Sequence, residues 1–253
     1  VIPIRDVNPT SRVAVLTIGL IVVNVVVFLF QVQKPDDLSL EGQQAFICEF
    51  GLVPEHVTED PAIPAGGNAT CLSLNQEQPR FLGLFSSQFL HGDWLHLVGN
   101  MLFLWVFGNN IEDRLGRLRF LPFYLVVGVI AGMVQVLSNP SSDVPVIGAS
   151  GAVSGILGAY LVLYPRKRVW TVVLPLVFLP FRLPAWIWLL FYLVLQVVFL
   201  GNSAISGEGE DGVAYLAHIG GFVAGAALIL PFAVARPEPV PRVPPPPTTP
   251  GNW

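Results

Sequence analysis

Residues 212–235 read GVAYLAHIGGFVAGAALILPFAVA: 24 residues with no Asp, Glu, Lys or Arg and one histidine, His218. As a helix this run would rise ~36 Å, enough to cross a hydrocarbon core of ~30 Å. A histidine in a membrane-length segment is rare and costly, which makes it a functional hypothesis. A second apolar run, 144–165, carries Gly148-Ala149-Ser150-Gly151 near its start. Serine is a poor nucleophile until a nearby base takes its proton. Together the two runs predict a serine hydrolase built inside a membrane.

The rest of the chain has the same character. Of its 253 residues, 53% are hydrophobic and 12% charged, whereas a soluble domain carries ~25% charge. Six spans are expected, at about 13–32, 94–111, 120–137, 148–165, 184–201 and 212–232. Each is long enough to cross as a helix. The expected fold is an all-α, six-helix membrane domain over residues 1–235, with a long outer loop between the first and second helices. Residues 169–181 contain Pro175 and Pro180 and are short for a span, so they read as an interfacial or re-entrant connector. If that piece crossed, His218 would emerge on the opposite side from Ser150. The run 13–32 is longer than a usual signal-peptide core, and no small-x-small site precedes Gln33-Lys34-Pro35. It reads as a retained helix. Residues 236–253 form a proline-rich tail, with eight prolines between 237 and 250, expected to be extended, disordered and cytoplasmic.

Charge sets the expected orientation. With the N-terminus inside, the inner segments hold eleven Lys and Arg residues and the outer ones only Lys34 and Arg80. This bias places both termini in the cytoplasm and opens the site to the outside. A net charge of −4 offers no basic patch for nucleic acid. Cys48 and Cys71 both fall in the outer loop 33–93, where an oxidising exterior permits a disulfide. Two free thiols are the alternative. Asn68-Ala69-Thr70 has the form of a glycosylation sequon. His56 and His91 read as surface loop residues. Four histidines and two distant cysteines make no metal-ligand spacing, so no metal is expected.

A spacing argument collects the polar residues. Asp93, Asp143 and Asp211 each mark the outer edge of a span, and Asn100, Ser150 and His218 follow each by seven residues. At 1.5 Å per residue, each would lie ~10 Å below that edge. Pro145 and Gly148 qualify this for Ser150, because they can keep its approach non-helical. Polar side chains at such depth should turn inward and meet one another. His96 and Asn100 are four apart on one helical face and both can donate hydrogen bonds. With the Ser150 N–H they form candidate donors to a developing oxyanion. Gly151-x-x-x-Gly155 and Gly221-x-x-x-Gly225 are small-residue pairs that let helix backbones touch, which would bring Ser150 to His218. Taken singly, each residue has a plainer reading: Ser150 starts or packs a helix, His218 bonds a carbonyl, and Asn100 bridges helices.

The order and spacing of several motifs resemble the rhomboid intramembrane serine proteases. The resemblance runs from Ile4-Arg5-Asp6-Val7-Asn8-Pro9 to the sixth span. Its most specific pieces are Phe89-Leu90-His91-Gly92, His96-Leu97-Val98-Gly99-Asn100, Phe107-Gly108 with Ile111-Glu112, Gly148-Ala149-Ser150-Gly151, and Ala217-His218-Ile219-Gly220-Gly221 continuing through Gly225. It implies a six-helix core and a dyad without an acidic third member. Ser150 would be the nucleophile and His218 the general base. His96, Asn100 and the Ser150 N–H would form the oxyanion hole, and Gly148 would leave room beside the serine. The loop 33–93 would lie partly in the membrane, and the fifth span with the loop after it, up to Asp211, would gate lateral access. Some rhomboids carry a tyrosine four residues after the nucleophile, stacked on the histidine. Here that position is Ser154, leaving open what orients His218, with Tyr215 as one nearby aromatic. The loop 33–93 does not match the family's arginine-bearing motif, and Arg80 is too isolated to assign.

The expected function is intramembrane serine endopeptidase activity on single-pass transmembrane proteins, near the outer face of a lipid bilayer. It proceeds through an acyl-enzyme and needs no cofactor. The alternatives are a non-catalytic rhomboid-like protein that binds membrane clients, and a small transporter using His96, Asn100 and His218. The first would be favoured by loss of the serine or histidine, yet both are present. The second would call for mid-depth acids, and the spans have none. Short soluble termini and the family type favour a prokaryotic plasma membrane.

Overall fold

The computed structural model describes residues 2–33, 40–58, 71, 81–173, 177–206 and 214–233. Strand β1 (Ile2–Asp6) precedes α1 (Val15–Val32). Within the segment expected as an outer loop lie α2 (Leu40–Phe50), α3 (Pro54–Thr58) and α4 (Gly83–Ser86), the last running into a 3-10 turn. Cys48 and Cys71 are joined by a disulfide and fully buried. Next come α5 (Trp94–Phe103), a π-helical turn (Leu104–Gly108), α6 (Asn109–Leu115) and α7 (Arg117–Ser138). Then follow α8 (Ser150–Leu163), β2 (Arg168–Val173), β3 (Val177–Pro184), α9 (Ala185–Ser206) and α10 (Tyr215–Ala233). The proline-rich tail and Asp211 lie outside the described residues.

Among the described residues, four helices are long and apolar enough to cross a membrane: α1, α7, α9 and α10. Their pattern inverts that of a soluble helix. On α1, Thr17, Asn24 and Gln31 point inward while Val15, Ile18, Val22, Val26 and Phe30 are exposed. The Asn24 amide donates to the Leu20 carbonyl, and the Gln31 amide to that of His91. Polar groups turned inward, their amide N–H groups bonded to protein carbonyls, with apolar ones turned out, suit a hydrocarbon solvent.

Two expected spans differ in form. The second is a continuous run from Trp94 to Leu115 interrupted by the π-helical turn. The fourth is only the 14 residues of α8, a rise of ~21 Å. Its expected start is non-helical because Pro145 cannot donate a backbone hydrogen bond and Gly148 has φ 121°. Gly151 to Tyr160 are all buried, so α8 is surrounded by other helices and is not matched to lipid.

The described residues of 169–181 are strands, so the piece does not re-enter as a helix, and the fold is mostly helical with one small sheet and not all-α. Strands β2 and β3 pair antiparallel, and β1 pairs antiparallel on the other edge of β2, making the order β1-β2-β3. The run Val169-Trp170-Thr171-Val172-Val173 is β-branched and aromatic, which suits a strand. Its partner, β1, is more than 160 residues away in sequence and carries no local sign of that pairing.

The end of the bundle opposite the start of α8 is tied by carboxylates. Ala14 at the cap position of α1 has no side-chain acceptor for the helix. Glu112 supplies one, accepting from the backbone N–H groups of Leu16 and Thr17 at 3.0 and 2.7 Å and from the Thr17 hydroxyl at 2.8 Å. It satisfies orphan donors of that first turn and opposes its positive dipole end. Asp113 accepts from the Ser11 N–H and hydroxyl. Asp6 accepts from the Asn110 amide at 2.6 Å and from the Tyr160 hydroxyl at 2.9 Å.

Helices α8 and α10 meet backbone to backbone. A Cβ added to Gly221 would strike the Gly151 carbonyl, and one added to Gly225 would strike the Gly155 carbonyl. Gly221→Val is therefore expected to destabilise the protein by about 3 kcal/mol, because a clash with backbone is not relieved by a rotamer change. Gly19→Ala, where an added Cβ meets nothing, should be neutral or stabilising by up to ~1 kcal/mol. Thermal unfolding in detergent separates the two.

A second expectation concerns pH. Burial raises the Asp6 carboxyl from 3.8 to about 6, against the hydrogen bonds from Tyr160 and Asn110. The folded state thus holds this proton more tightly than the unfolded chain. The stabilisation is complete below 3.8 and is lost as pH rises through about 6. Asp6→Asn removes the titration, and its stability should improve relative to wild type by about 2 kcal/mol as pH rises from 4 to 7. Paired melting curves across that range read the difference, and a constant offset would contradict it.

Candidate active site

Ser150 is the first residue of α8, and His218 lies in the first turn of α10. The glycine seam holds these two helix starts side by side. His218 Nε2 is 2.8 Å from Ser150 Oγ, within reach for proton transfer. Asp93 caps α5 by accepting from the His96 N–H at 2.8 Å, so Asn100 stands seven residues along a regular helix from its cap. No helix leads from Asp143 to Ser150. That residue is carried in by the non-helical stretch before α8, pinned where the Gly148 N–H donates to the Ser87 carbonyl and where Leu52 bridges Val146. His218 is only three residues inside α10.

Helix α5 brings the donors. The Gly92 N–H donates to His96 Nδ1 at 3.4 Å, which leaves the ring proton on Nε2. That edge faces Gly148, where an added Cβ would lie 2.7 Å from His96 Nε2 and 3.5 Å from Ser150 Oγ. The missing side chain and the positive φ of Gly148 thus let the imidazole stand beside the serine. One turn on, Asn100 is buried and its Nδ2 has no partner among the described residues. A buried amide donor left unmatched costs ~1–3 kcal/mol, and such donors are retained where function uses them. These groups line a cleft of about 560 Å³ that also includes Phe103, Tyr192 and Gln196.

Several neighbours were not legible in advance. His91 is not a surface residue: it is fully buried, with its ring edge-on to His96 at 5.1 Å and to Phe28 at 6.5 Å. Burial pushes its imidazole down to about 4, so it is neutral at physiological pH. Gln31, 60 residues earlier, holds its backbone from both sides. His56 is half-buried on α3. Ser154 does not contact His218; its hydroxyl is 2.7 Å from that of Tyr192 on α9. Tyr215 packs against Phe199, with ring centroids 6.0 Å apart. What meets the far side of His218 is Gln196, whose Oε1 is 2.8 Å from Nδ1. An amide in the middle of the uncharged run 183–207, whose other amide, Asn202, falls near its end, was the available signal, by the same reasoning that singled out His218.

Comparison with known proteins converges on one family. Residues 78–234 match the family described as the Rhomboid domain, a stretch containing His96, Asn100, Ser150, Gln196 and His218. Relatives include Rhomboid-like protein 11, chloroplastic, of Arabidopsis thaliana, 30% identical over 166 residues, covering 62% of this chain and 55% of that one. Rhomboid protein 1, mitochondrial, of Saccharomyces cerevisiae is 28% identical over 152 residues, covering 57% and 40%. Rhomboid-like protease 5 of Toxoplasma gondii is 32% identical over 153 residues, covering 58% and 16%. The chain thus matches little more than half the length of these relatives at most. With the family match covering well over half of its residues, the chain belongs to the rhomboid family.

Proposed function

We propose that this protein is an intramembrane serine endopeptidase that cleaves single-pass transmembrane proteins. The observation that carries the reading is the 2.8 Å contact of Ser150 Oγ with His218 Nε2, in a cleft that also holds the unmatched amide donor of Asn100. Ser150 attacks the scissile carbonyl while His218 takes the hydroxyl proton. Negative charge gathers on the carbonyl oxygen, where His96 Nε2–H, Asn100 Nδ2 and the Ser150 N–H receive it. His218 returns its proton to the leaving amine, giving an acyl-enzyme that a water, activated by the same imidazole, resolves. The cleft supplies the room for substrate and water, and the substrate must present an extended segment to Ser150.

The domain reading is six membrane helices within residues 1–235, with α8 and the α5–α6 run completing the four longer ones, and a separate tail over 236–253. The arginine-rich ends lie on the cytoplasmic side by the positive-inside rule, and the cleft opens on the other. The Toxoplasma relative is named a protease, which agrees with this activity. Two relatives are named mitochondrial or chloroplastic, which does not favour a prokaryotic plasma membrane. The apolar helices and the family support a membrane location without assigning that compartment.

A fluorophosphonate serine probe tests the chemistry on detergent-purified protein. Wild type should label at one site, and both Ser150→Ala and His218→Ala should lose the label while retaining the melting temperature. A folded wild type that does not label, or label that survives in Ser150→Ala, would overturn the reading. Asn100→Ala should lower kcat for cleavage of a reconstituted transmembrane substrate by about 10²–10³-fold, the usual cost of one oxyanion donor, with a smaller change in KM.

A further inference from the structure

Glutamine at position 196 has a geometry that the dyad alone does not account for. Its side chain leaves α9, is 9% exposed, and sets Oε1 2.8 Å from His218 Nδ1. A carbonyl oxygen only accepts, so Nδ1 must carry hydrogen for this bond to exist. In the neutral imidazole that puts the lone pair on Nε2, the atom 2.8 Å from Ser150 Oγ. The opposite tautomer would aim an N–H at the serine and could not take its proton. We propose that Gln196 is the positioning residue of the catalytic histidine, an uncharged counterpart of the acid that orients histidine in a three-member hydrolase site.

The choice of an amide over a carboxylate has a physical basis. An ionised acid at this depth in an apolar helix would carry a large desolvation cost, whereas an amide accepts the same hydrogen without net charge. The orientation is fixed from a helix outside the α8–α10 seam. Tyr192 and Gln196 are four apart on α9, so they share one face. Tyr192 reaches Ser154 on α8 at 2.7 Å, and Gln196 reaches His218 on α10. One face of α9 thus contacts the helix of the nucleophile and the helix of the base. The residue four after Ser150 contributes no ring to His218, and Gln196 is what stands against the imidazole instead.

This inference rests on the serine-protease reading, and the test separates the two. The second-order rate of fluorophosphonate labelling is measured for wild type, Gln196→Met and Gln196→Glu. The His218 tautomer is read from the ring nitrogen signals of protein labelled with 15N-histidine. Gln196→Met keeps the length and removes the acceptor; it should label at least ~10-fold more slowly, part of the roughly 10²–10⁴-fold that a positioned base supplies. Its His218 signals should shift from the Nδ1–H form toward the Nε2–H form. Gln196→Glu, held by burial as the neutral acid, keeps a carbonyl acceptor and should label within threefold of wild type. If Gln196→Met does not fold, Gln196→Asn, which withdraws the amide by one methylene, takes its place with the same expectations. Labelling at the wild-type rate in the acceptor-free variant, or slow labelling with an unchanged tautomer, would overturn the positioning role. Absence of label in wild type itself would instead overturn the protease reading, and the nitrogen signals would still decide whether Gln196 sets the tautomer.

Discussion

The close approach of α8 and α10 governs the geometry of the whole site. Two helices separated by ordinary side chains lie 8–10 Å apart, and a serine and a histidine at their starts would not meet. Here Gly221 and Gly225 lie so close to the Gly151 and Gly155 carbonyls that neither has space for a Cβ, while a Cβ on Gly151 or Gly155 would strike Ala131 or Val127 of α7. The resulting contact sets the relative height and rotation of the two helix starts and leaves His218 Nε2 at hydrogen-bonding distance from Ser150 Oγ. Apolar burial gives little preference between helices in lipid, so close packing of small residues has to supply the specificity.

The second constraint is the satisfaction of polar groups where water is scarce. At one end of the bundle, Glu112, Asp113 and Asp6 bind the N-terminal segment to α6 and α8 through backbone donors, Asn110 and Tyr160. The strand β1 therefore reaches α1 with its backbone committed on one side to β2. At the other end, Gln31 secures the backbone of His91, whose ring backs His96. Some buried polar atoms stay without a partner among the described residues, both ring nitrogens of His91 included, and one of them, the Nδ2 of Asn100, lines the same cleft as Ser150. A donor kept free of protein partners next to a nucleophile is what an oxyanion requires before it forms, since no reorganisation is then needed as charge develops.

Helix α9 stands apart from this tight core. Only 17% of its apolar window is buried, against 39% for α7 and α10. It nonetheless sends Tyr192 and Gln196 into the cleft. The least enclosed of the long helices is thus tied to both α8 and α10, through Tyr192 to Ser154 and through Gln196 to His218, while Gln135 of α7 accepts from the Ala217 N–H at the start of α10.

The membrane character of the chain and the identity of its central polar set were properties of the sequence alone. Long uncharged runs have a favourable transfer free energy into hydrocarbon wherever they end up, and His218, His96 and Asn100 are conspicuous because each is expensive in that solvent. The small-residue pairs on α8 and α10 were legible for a related reason: a missing side chain is a local fact that permits close contact. Tertiary structure alone decided which groups meet. The pairing of β1 with β2, the bond from Tyr160 to Asp6 across 154 residues, the burial of His91 and the contact of Gln196 with His218 all depend on the rotation and height of whole helices. Those variables are set by many packed surfaces at once, and no local pattern of residues encodes them.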